Sequence, residues 1–339
     1  MNSVAVVILN WNGKNFLEKF LPNVIQYSKD DAEIIVADNA STDGSIEFLQ
    51  RNFPGIRIIE NKENYGFAEG YNQALSRIEA DYYVLLNSDI EVTENWINPV
   101  IELMEKDPAI AACQPKILAY DNRSKFEYAG AAGGFIDKYG YPFCRGRLFQ
   151  YLENDQGQYD DATEVFWATG ACMFVKARLY HEFDGLDGDF FAHMEEIDFC
   201  WRLKNHDYKI MYCPCSTVFH VGGGTLPKIS SRKTYLNFRN NMTLLYKNLE
   251  KNRLLKVYLA RMFLDSIASV KFLFEGHVKD SFAVIRAHCS FCRNFYKIRK
   301  KRKQLVQKKP SRVYQGNIAF DHYLRRNKVF TVLPAKKFS

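Results

Sequence analysis

The first third of the chain alternates between two patterns. Short apolar runs lie at 4–9, 33–37, 57–60 and 82–86. Runs this short and this apolar predict strands buried on both faces. Between them, apolar side chains return every three or four positions, as Phe16, Leu17, Phe20, Leu21, Val24 and Ile25 do. That spacing predicts helices over 16–27, 45–52, 66–78 and 96–106. Strand and helix in alternation predict a mostly parallel sheet with helices on its faces. Ligands of such sheets sit beyond the carboxyl ends of the strands, so the residues just after each strand are the first candidates for chemistry.

The pattern then changes. Residues 115–165 hold Gly130, Gly133, Gly134 and Gly140 and an acidic stretch at 153–161, which predicts loops and a hairpin. A further strand region is expected over 165–175. Residues 254–274 have helical spacing, with Lys256, Arg261, Asp265 and Lys271 in one half of the wheel. The other half carries Leu255, Tyr258, Leu259, Met262, Phe263, Val270 and Leu273. This is an amphipathic helix, since its charges leave no run of about 18 uncharged apolar residues. Residues 314–333, rich in aromatic and β-branched side chains, are expected to fold back on the body.

Composition narrows the class. With 47% hydrophobic and 25% charged residues over 339 positions, a disordered chain and a polytopic membrane protein are both excluded. Charge is divided unevenly. Residues 1–227 hold 19 Lys and Arg against 34 Asp and Glu, whereas residues 228–339 hold 27 against 5. Residues 281–320 contain no acid, and 299–303 are all basic. Such a tail should meet something anionic. An anionic membrane surface ranks first, and packing on the body with a solvated basic face second. Nucleic acid is not expected, because Phe291, Phe295 and Tyr296 stand among the bases without a recognisable nucleic-acid module. No secretory signal is seen, so a reducing cytoplasm is expected for the eight cysteines. The close pairs Cys213/Cys215 and Cys289/Cys292, with His220 or His288 nearby, invite a zinc reading. Neither has a second pair at zinc-site spacing, so buried thiols are preferred.

Three strand ends carry polar residues: Asn10-Trp11-Asn12-Gly13, Asp38 through Ser45, and Asn87-Ser88-Asp89. Asp38 suits acceptance from a nucleobase N–H and Asp89 suits a divalent metal, because neither strand needs a carboxylate for its structure. Asp43 reads better as a turn or cap residue. No phosphate loop of the G-x-x-x-x-G-K-[ST] or G-x-G-x-x-G kind is present. A second cluster, Glu195-Glu196-Ile197-Asp198 among Phe190, Phe191, Phe199 and Trp201, suits a general base of raised pKa. Acids decorating a helix N-terminus explain it equally well. His220 ends a strand-like stretch before Gly222-Gly223-Gly224; as a lone histidine it is more simply structural, and a metal role is open.

Taken together and in order, these motifs resemble the family 2 glycosyltransferases, the inverting enzymes of GT-A fold, over roughly residues 1–250. The matching stretches are 6–13, 36–45, 61–72, 85–89, 169–174, 190–202, His220 and 235–240. The bacterial branch that includes rhamnosyltransferases is the most similar. The resemblance implies a GT-A (Rossmann-like) α/β fold with a helical, basic C-terminal extension. It implies a domain over 1–250, with a nucleotide-binding half at 1–110 and an acceptor and catalytic half at 111–250, followed by the extension at 251–339. It implies a nucleotide-diphosphate sugar donor, a glycan or lipid-linked glycan acceptor, Mg2+ or Mn2+, and a place on the inner face of the cytoplasmic membrane. Asn10, Asn12, Asp38, Asn64, Asn72, Asn87, Ser88 and Arg239 would bind the donor, and Asp89 and His220 the metal. Asn87 stands where the family has the first aspartate of D-x-D, leaving Asp89 the only carboxylate of that motif. Glu195, Glu196 and Asp198 occupy the E-D-x-D motif that supplies the base. Glu195 and Glu196 both remain eligible, with alignment favouring Glu196. Residues 120–165 and 225–232 are expected to set specificity. A sugar-phosphate nucleotidyltransferase is the competing enzyme, though it wants a glycine- and arginine-rich loop after the first strand. A membrane-bound scaffold or glycan-binding protein is the competing non-enzyme.

Overall fold

The computed structural model describes residues 2–222 and 230–339. Gly223, Gly224 and most of the 225–232 segment lie outside the described residues. The first third runs β1 (Val4–Asn10), α1 (Lys14–Ser28), β2 (Glu33–Asp38), α2 (Ser45–Asn52), β3 (Arg57–Glu60), α3 (Gly66–Leu75), β4 (Tyr82–Asn87), β5 (Ile90–Val92) and α4 (Asn98–Glu105). The middle holds β6 (Ile110–Ala119), β7 (Gly134–Asp137), β8 (Pro142–Cys144), β9 (Arg147–Leu148), β10 (Tyr151–Leu152), β11 (Thr163–Val165) and β12 (Cys172–Lys176). It continues through α5 (Ala177–Glu182), α6 (Glu195–Lys204) and β13 (Lys209–His220). The rest is helical: α7 (Ser231–Asn248), α8 (Lys251–Phe274), α9 (Val278–Arg293) and α10 (Phe295–Gln304), then β14 (Val313–Tyr314) and α11 (Ile318–Tyr323).

The main sheet has the order β11-β13-β6-β12-β4-β1-β2-β3, with β5 beside β13. The strands β4, β1, β2 and β3 are parallel, as their apolar runs predict. Alternate residues of these strands enter two different cores: Val6, Ile8, Val36, Val84 and Leu86 on one face, Val7, Ile35, Ala37, Tyr83 and Leu85 on the other. Both faces are covered, which is why the runs are unbroken. Beyond β4 the sheet becomes mixed, since β12 is antiparallel to both β4 and β6. The strand region expected at 165–175 is two strands, β11 and β12, separated by 166–171.

The loops and hairpin expected over 115–165 include most of a second sheet, in the order β10-β9-β8-β7-β14. Its fifth strand comes from the far end of the chain, where Val313 pairs with Ile136. The Phe135 ring meets Phe330 and Phe338 at 5.1 and 5.2 Å between centroids. The C-terminal segment therefore folds back on the body, as its composition suggests.

Helix α8 forms where its spacing predicts, but it is turned the other way. Val257, Arg261 and Asp265 are buried, and Leu255, Leu259, Met262, Phe263, Val270 and Leu273 face outward. The reason is a buried polar network. Arg261 Nη2 pairs with Asp265 Oδ1 at 3.0 Å, Tyr141 donates to that same oxygen at 3.3 Å, and His288 Nε2 is 3.1 Å from Asp265 Oδ2. The Arg261 guanidinium also lies 3.9 Å from the centre of the Tyr141 ring. With Arg261 and Asp265 held inward, the helix does not cover the sheet with its apolar side, although Lys256 and Lys271 remain exposed. The thiols differ from expectation too. All eight are free, and Cys213 is buried, but Cys215, Cys289 and Cys292 are exposed.

Candidate active site

The carboxyl ends of β1, β2 and β4 lie side by side by register: Asn10 opposite Asp38, and Leu9 opposite Asn87. Their loops are tied to one another. Asn10 Nδ2 donates to Asp38 Oδ1 at 2.9 Å and to Ser41 Oγ at 3.1 Å. Asp38 Oδ2 accepts from Ser41 N–H, and Asn12 Oδ1 accepts from Thr42 N–H at 2.7 Å. Asn10, Asp38 and Asn39 are buried, and Asn10 Oδ1 has no partner. A Cβ on Gly13 would stand 2.5 Å from that oxygen and 3.3 Å from Ser88 Oγ, so Gly13 lets the loops after β1 and β4 converge. Asn12 and Ala40 hold φ of 50° and 60°, rare for residues with a Cβ and typical of loops shaped for a ligand. Asp43 acts as the loop residue it resembles, accepting from Lys14 N–H at 2.9 Å and from the Ser45 hydroxyl.

Asn64 does not stand alone. Its Oδ1 accepts from Gly66 N–H and from Asn39 Nδ2, while Asn39 Oδ1 accepts from Tyr65 N–H and Asn61 Nδ2. Asn39 thus anchors the 61–66 loop to the end of β2. Asn72 is placed elsewhere. Its amide holds the backbone N–H and C=O of Leu186 and accepts from the Tyr180 hydroxyl at 2.7 Å. It staples α3 to the loop after α5.

Asp89 and His220 meet because β13 pairs with β5, setting His220 opposite Ile90. His220 Nε2 is 3.1 Å from Asp89 Oδ1 and 3.4 Å from Asn87 Nδ2. On the other side of the ring, Nδ1 lies 3.1 Å from Glu127 Oε2, without the alignment of a hydrogen bond. Glu127 is a buried carboxylate that sequence reasoning missed. Burial alone would lower the His220 pKa, but the charges of Asp89 and Glu127 outweigh it and push it up to about 10. Burial would likewise raise Asp89 and Glu127, and the imidazolium holds both below the usual carboxylate range instead. Gly222 closes the cluster: at φ +71° its Cβ would stand 2.5 Å from Glu127 Oε1.

The fit of a divalent cation follows from these donors. Asp89 Oδ1 and His220 Nε2 offer one oxygen and one nitrogen donor to Mn2+ or, less fully, Mg2+, provided the cation displaces the proton that His220 carries without it; Asn87 stands beside them. Among the described residues no three His, Cys, Asp or Glu groups form a ready cage. Substrate phosphates commonly complete a sphere of that kind.

The acidic cluster is built differently. Phe191, His193 and Met194 hold φ of 65°, 70° and 74° in the four residues before α6. So many left-handed side-chain-bearing residues in one short loop indicate a backbone held by its surroundings. Asn240 Nδ2 reaches the carbonyls of Phe190, Ala192 and His193 at 3.0, 2.9 and 2.7 Å. Arg239 Nη2 donates to the carbonyls of Asp189 and Phe190. The Phe191 carbonyl accepts from Phe67 N–H at 2.7 Å, binding the loop to α3. Part of the basic tail also serves here, as Lys297 and Lys301 pair with Asp189, and Lys301 with Asp187.

This loop delivers three acids to three environments. Asp198 is fully buried and accepts from Arg202 Nε at 2.9 Å, Lys247 Nζ at 2.8 Å and Asn248 Nδ2 at 2.7 Å. Glu195 is buried, and burial first, then the Glu196 and Asp198 charges, raise its pKa far above the normal range. Glu196 is partly exposed; burial pushes its pKa up to about 7, opposed by backbone N–H groups at the start of α6. Gly170 links it to the strand ends. A Cβ there would lie 3.9 Å from Glu196 Cβ, and the next residue, Ala171, accepts at its carbonyl from Asn87 N–H at 2.9 Å. The structure thus gathers Asn10, Asn12, Asp38, Asn87, Ser88, Asp89, His220 and Glu196 around adjoining loops. Asn72, Asp198 and Arg239 hydrogen-bond to the loops and helices around them.

Comparison with known proteins identifies the family and the fold. The family model described as "Glycosyl transferase family 2" matches residues 5–184. An N-acetylglucosaminyl-diphospho-decaprenol L-rhamnosyltransferase of Mycobacterium tuberculosis is 21% identical over 231 residues, 64% of this chain and 75% of its own. Among solved structures, GalNAc-T7 with UDP, GalNAc and Mn2+ is similar with a TM-score of 0.56 at 18% identity, covering 73% of this chain and 49% of that one. This chain therefore spans about half of that protein's length. The mannosyltransferase of Pyrobaculum calidifontis in complex with GDP-Man and Mn2+ is similar with a TM-score of 0.51 at 14% identity, covering 87% of this chain and 75% of its own.

Proposed function

The chain belongs to glycosyl transferase family 2, and from that premise we propose that it moves a hexosyl or deoxyhexosyl group from a nucleotide-diphosphate sugar to a glycan or lipid-linked glycan. Residues 1–110 supply the donor side and 111–250 the acceptor side. The observation that carries this reading is the pairing of a strand-end cluster, Asp38 with Asp89 and His220, with a carboxylate poised near neutral pH at the start of α6.

Asp38 and the Asn10–Asn12 loop accept the base of the nucleotide. Asp89 and His220, with Asn87 beside them, would hold Mn2+ or Mg2+, which supplies positive charge for a departing diphosphate when bound. Glu127 lies against the far side of His220 and adds a negative charge behind the ring. Glu196 takes the proton from an acceptor hydroxyl. The freed oxygen attacks the anomeric carbon from the face opposite the diphosphate. One bond forms as the other breaks, and the anomeric configuration inverts. Glu195, buried and pushed well above the ordinary carboxylate range, is the weaker candidate. Rhamnose is one donor sugar this reading admits, in keeping with the mycobacterial relative. The enzyme works on an anionic membrane surface on the cytoplasmic side, where a lipid-linked acceptor is presented.

A panel of UDP-, dTDP- and GDP-sugars, assayed for nucleotide release with Mn2+ or EDTA, tests the reaction class. Release from one donor is expected, dependent on Mn2+ and accelerated by a membrane extract containing acceptor. No release from any donor with extract present would return the chain to the scaffold reading.

A further inference from the structure

The outward face of α8 is the largest feature that the site does not use. Leu255, Phe263 and Phe274 are 72%, 67% and 89% exposed, and Leu259, Ile267 and Val270 lie with them along one side. At 1.5 Å per residue, the stripe from Leu255 to Phe274 on this 24-residue helix is about 29 Å long. Phe282 and Ile285 of α9 are also exposed. Among the described residues no helix is long and apolar enough to cross a membrane. The stripe is not a misplaced core face, because the inward side of α8 is committed to the Arg261–Asp265–His288 network.

We propose that this face seats on an anionic lipid bilayer, with α8 lying in the plane of the interface. Charge decides between this and a second copy of the chain. Residues 251–320 hold 17 Lys and Arg and three acids. Of those acids, Asp265 is buried, Asp280 accepts from Thr234, and Glu275 is exposed in a pair with Lys271. Lys256, Lys279, Arg286 and Arg293 are exposed on α8 and α9. Two such surfaces brought together would oppose like charges. A bilayer takes up the apolar stripe and meets the surrounding cations with phosphate. Helix α9 packs on α7 through Tyr235 and Ser290, and α7 carries Asn240, which holds the loop before Glu196. The docking face and the catalytic loop therefore share a rigid support. This proposal rests on the membrane-side reading above and names the surface that reading requires.

Flotation of the full chain with phosphatidylcholine vesicles, with and without phosphatidylglycerol, tests it. The wild type should float with the anionic vesicles and much less with the neutral ones. Leu259→Glu with Phe263→Glu should reduce the bound fraction by more than about tenfold, with melting temperature and nucleotide release unchanged. Lys256→Glu with Lys279→Glu should reduce it on anionic vesicles alone. Binding that ignores the apolar substitutions, or no binding by the wild type, overturns the proposal. So does a wild-type dimer in sedimentation that the Leu259/Phe263 pair converts to monomer, since the face then joins two copies. Nucleotide release measured on the same preparations separates the readings: its absence with flotation intact counts against the donor chemistry alone.

Discussion

Replacing Glu196 with Gln is expected to lower sugar transfer by about 10²–10⁴-fold while the melting temperature stays within a degree or so of wild type. The amide fills the same space and cannot accept a proton from the acceptor. Because burial holds the Glu196 carboxyl near pH 7, the wild-type rate should also carry a signature. The base form is present above that pKa and lost below it. The rate should therefore rise about tenfold per pH unit up to about 7 and level off above. Glu195→Gln should keep that break, because burial, which holds the Glu195 carboxyl well above the ordinary carboxylate range, makes it the poorer base. A break that moves with Glu195 and not with Glu196 would exchange their roles. Steady-state transfer across pH, with both variants, is the measurement.

Asp198→Ala should do the opposite, costing stability. Arg202 and Lys247 are both buried and both pair with Asp198, and Asn248 donates to its other oxygen. Removing one member of a buried charge group leaves the rest without compensation, at about 3–5 kcal/mol. Lys247 retains Asp187, but Arg202 keeps only the carbonyls of Phe183 and Gly185. Thermal unfolding should fall by several degrees, and any loss of activity should follow the unfolded fraction. Asp198 would be a catalytic acid instead if the variant melted like wild type and turned over as slowly as Glu196→Gln.

Much of this arrangement is legible in the amino-acid sequence. The runs at 4–9, 33–37 and 82–86 signal strands covered on both faces, and the parallel sheet follows, with the polar strand ends gathered at one edge. The pairing of Asp198 with Arg202 is also readable, as acid and base four apart on one helix. Lys247, forty-nine positions on, is not. Glu127 carries no signal, because it lies in an irregular segment and only the β6, β5 and β13 pairings bring it to His220. Helix α8 shows a deeper limit. Periodicity reveals which side of a helix is apolar, but not which side meets the protein. Arg261 and Asp265 find Tyr141 and His288 inward, and that tertiary preference reverses the usual orientation. The basic tail divides similarly: Lys297 and Lys301 hold the acidic loop before α6, while Arg299, Lys300 and Lys303 remain exposed.

Calorimetric titration of UDP, dTDP and GDP into the wild type, Asp89→Ala and Glu196→Gln, with Mn2+ or with EDTA, is the most direct test of the strand-end cluster as the donor site. One nucleotide should bind the wild type and Glu196→Gln equally in Mn2+, and bind neither in EDTA. Asp89→Ala should lose that binding with its fold intact. Equal binding in EDTA, or full binding by Asp89→Ala, would contradict a diphosphate held through a metal on Asp89 and His220.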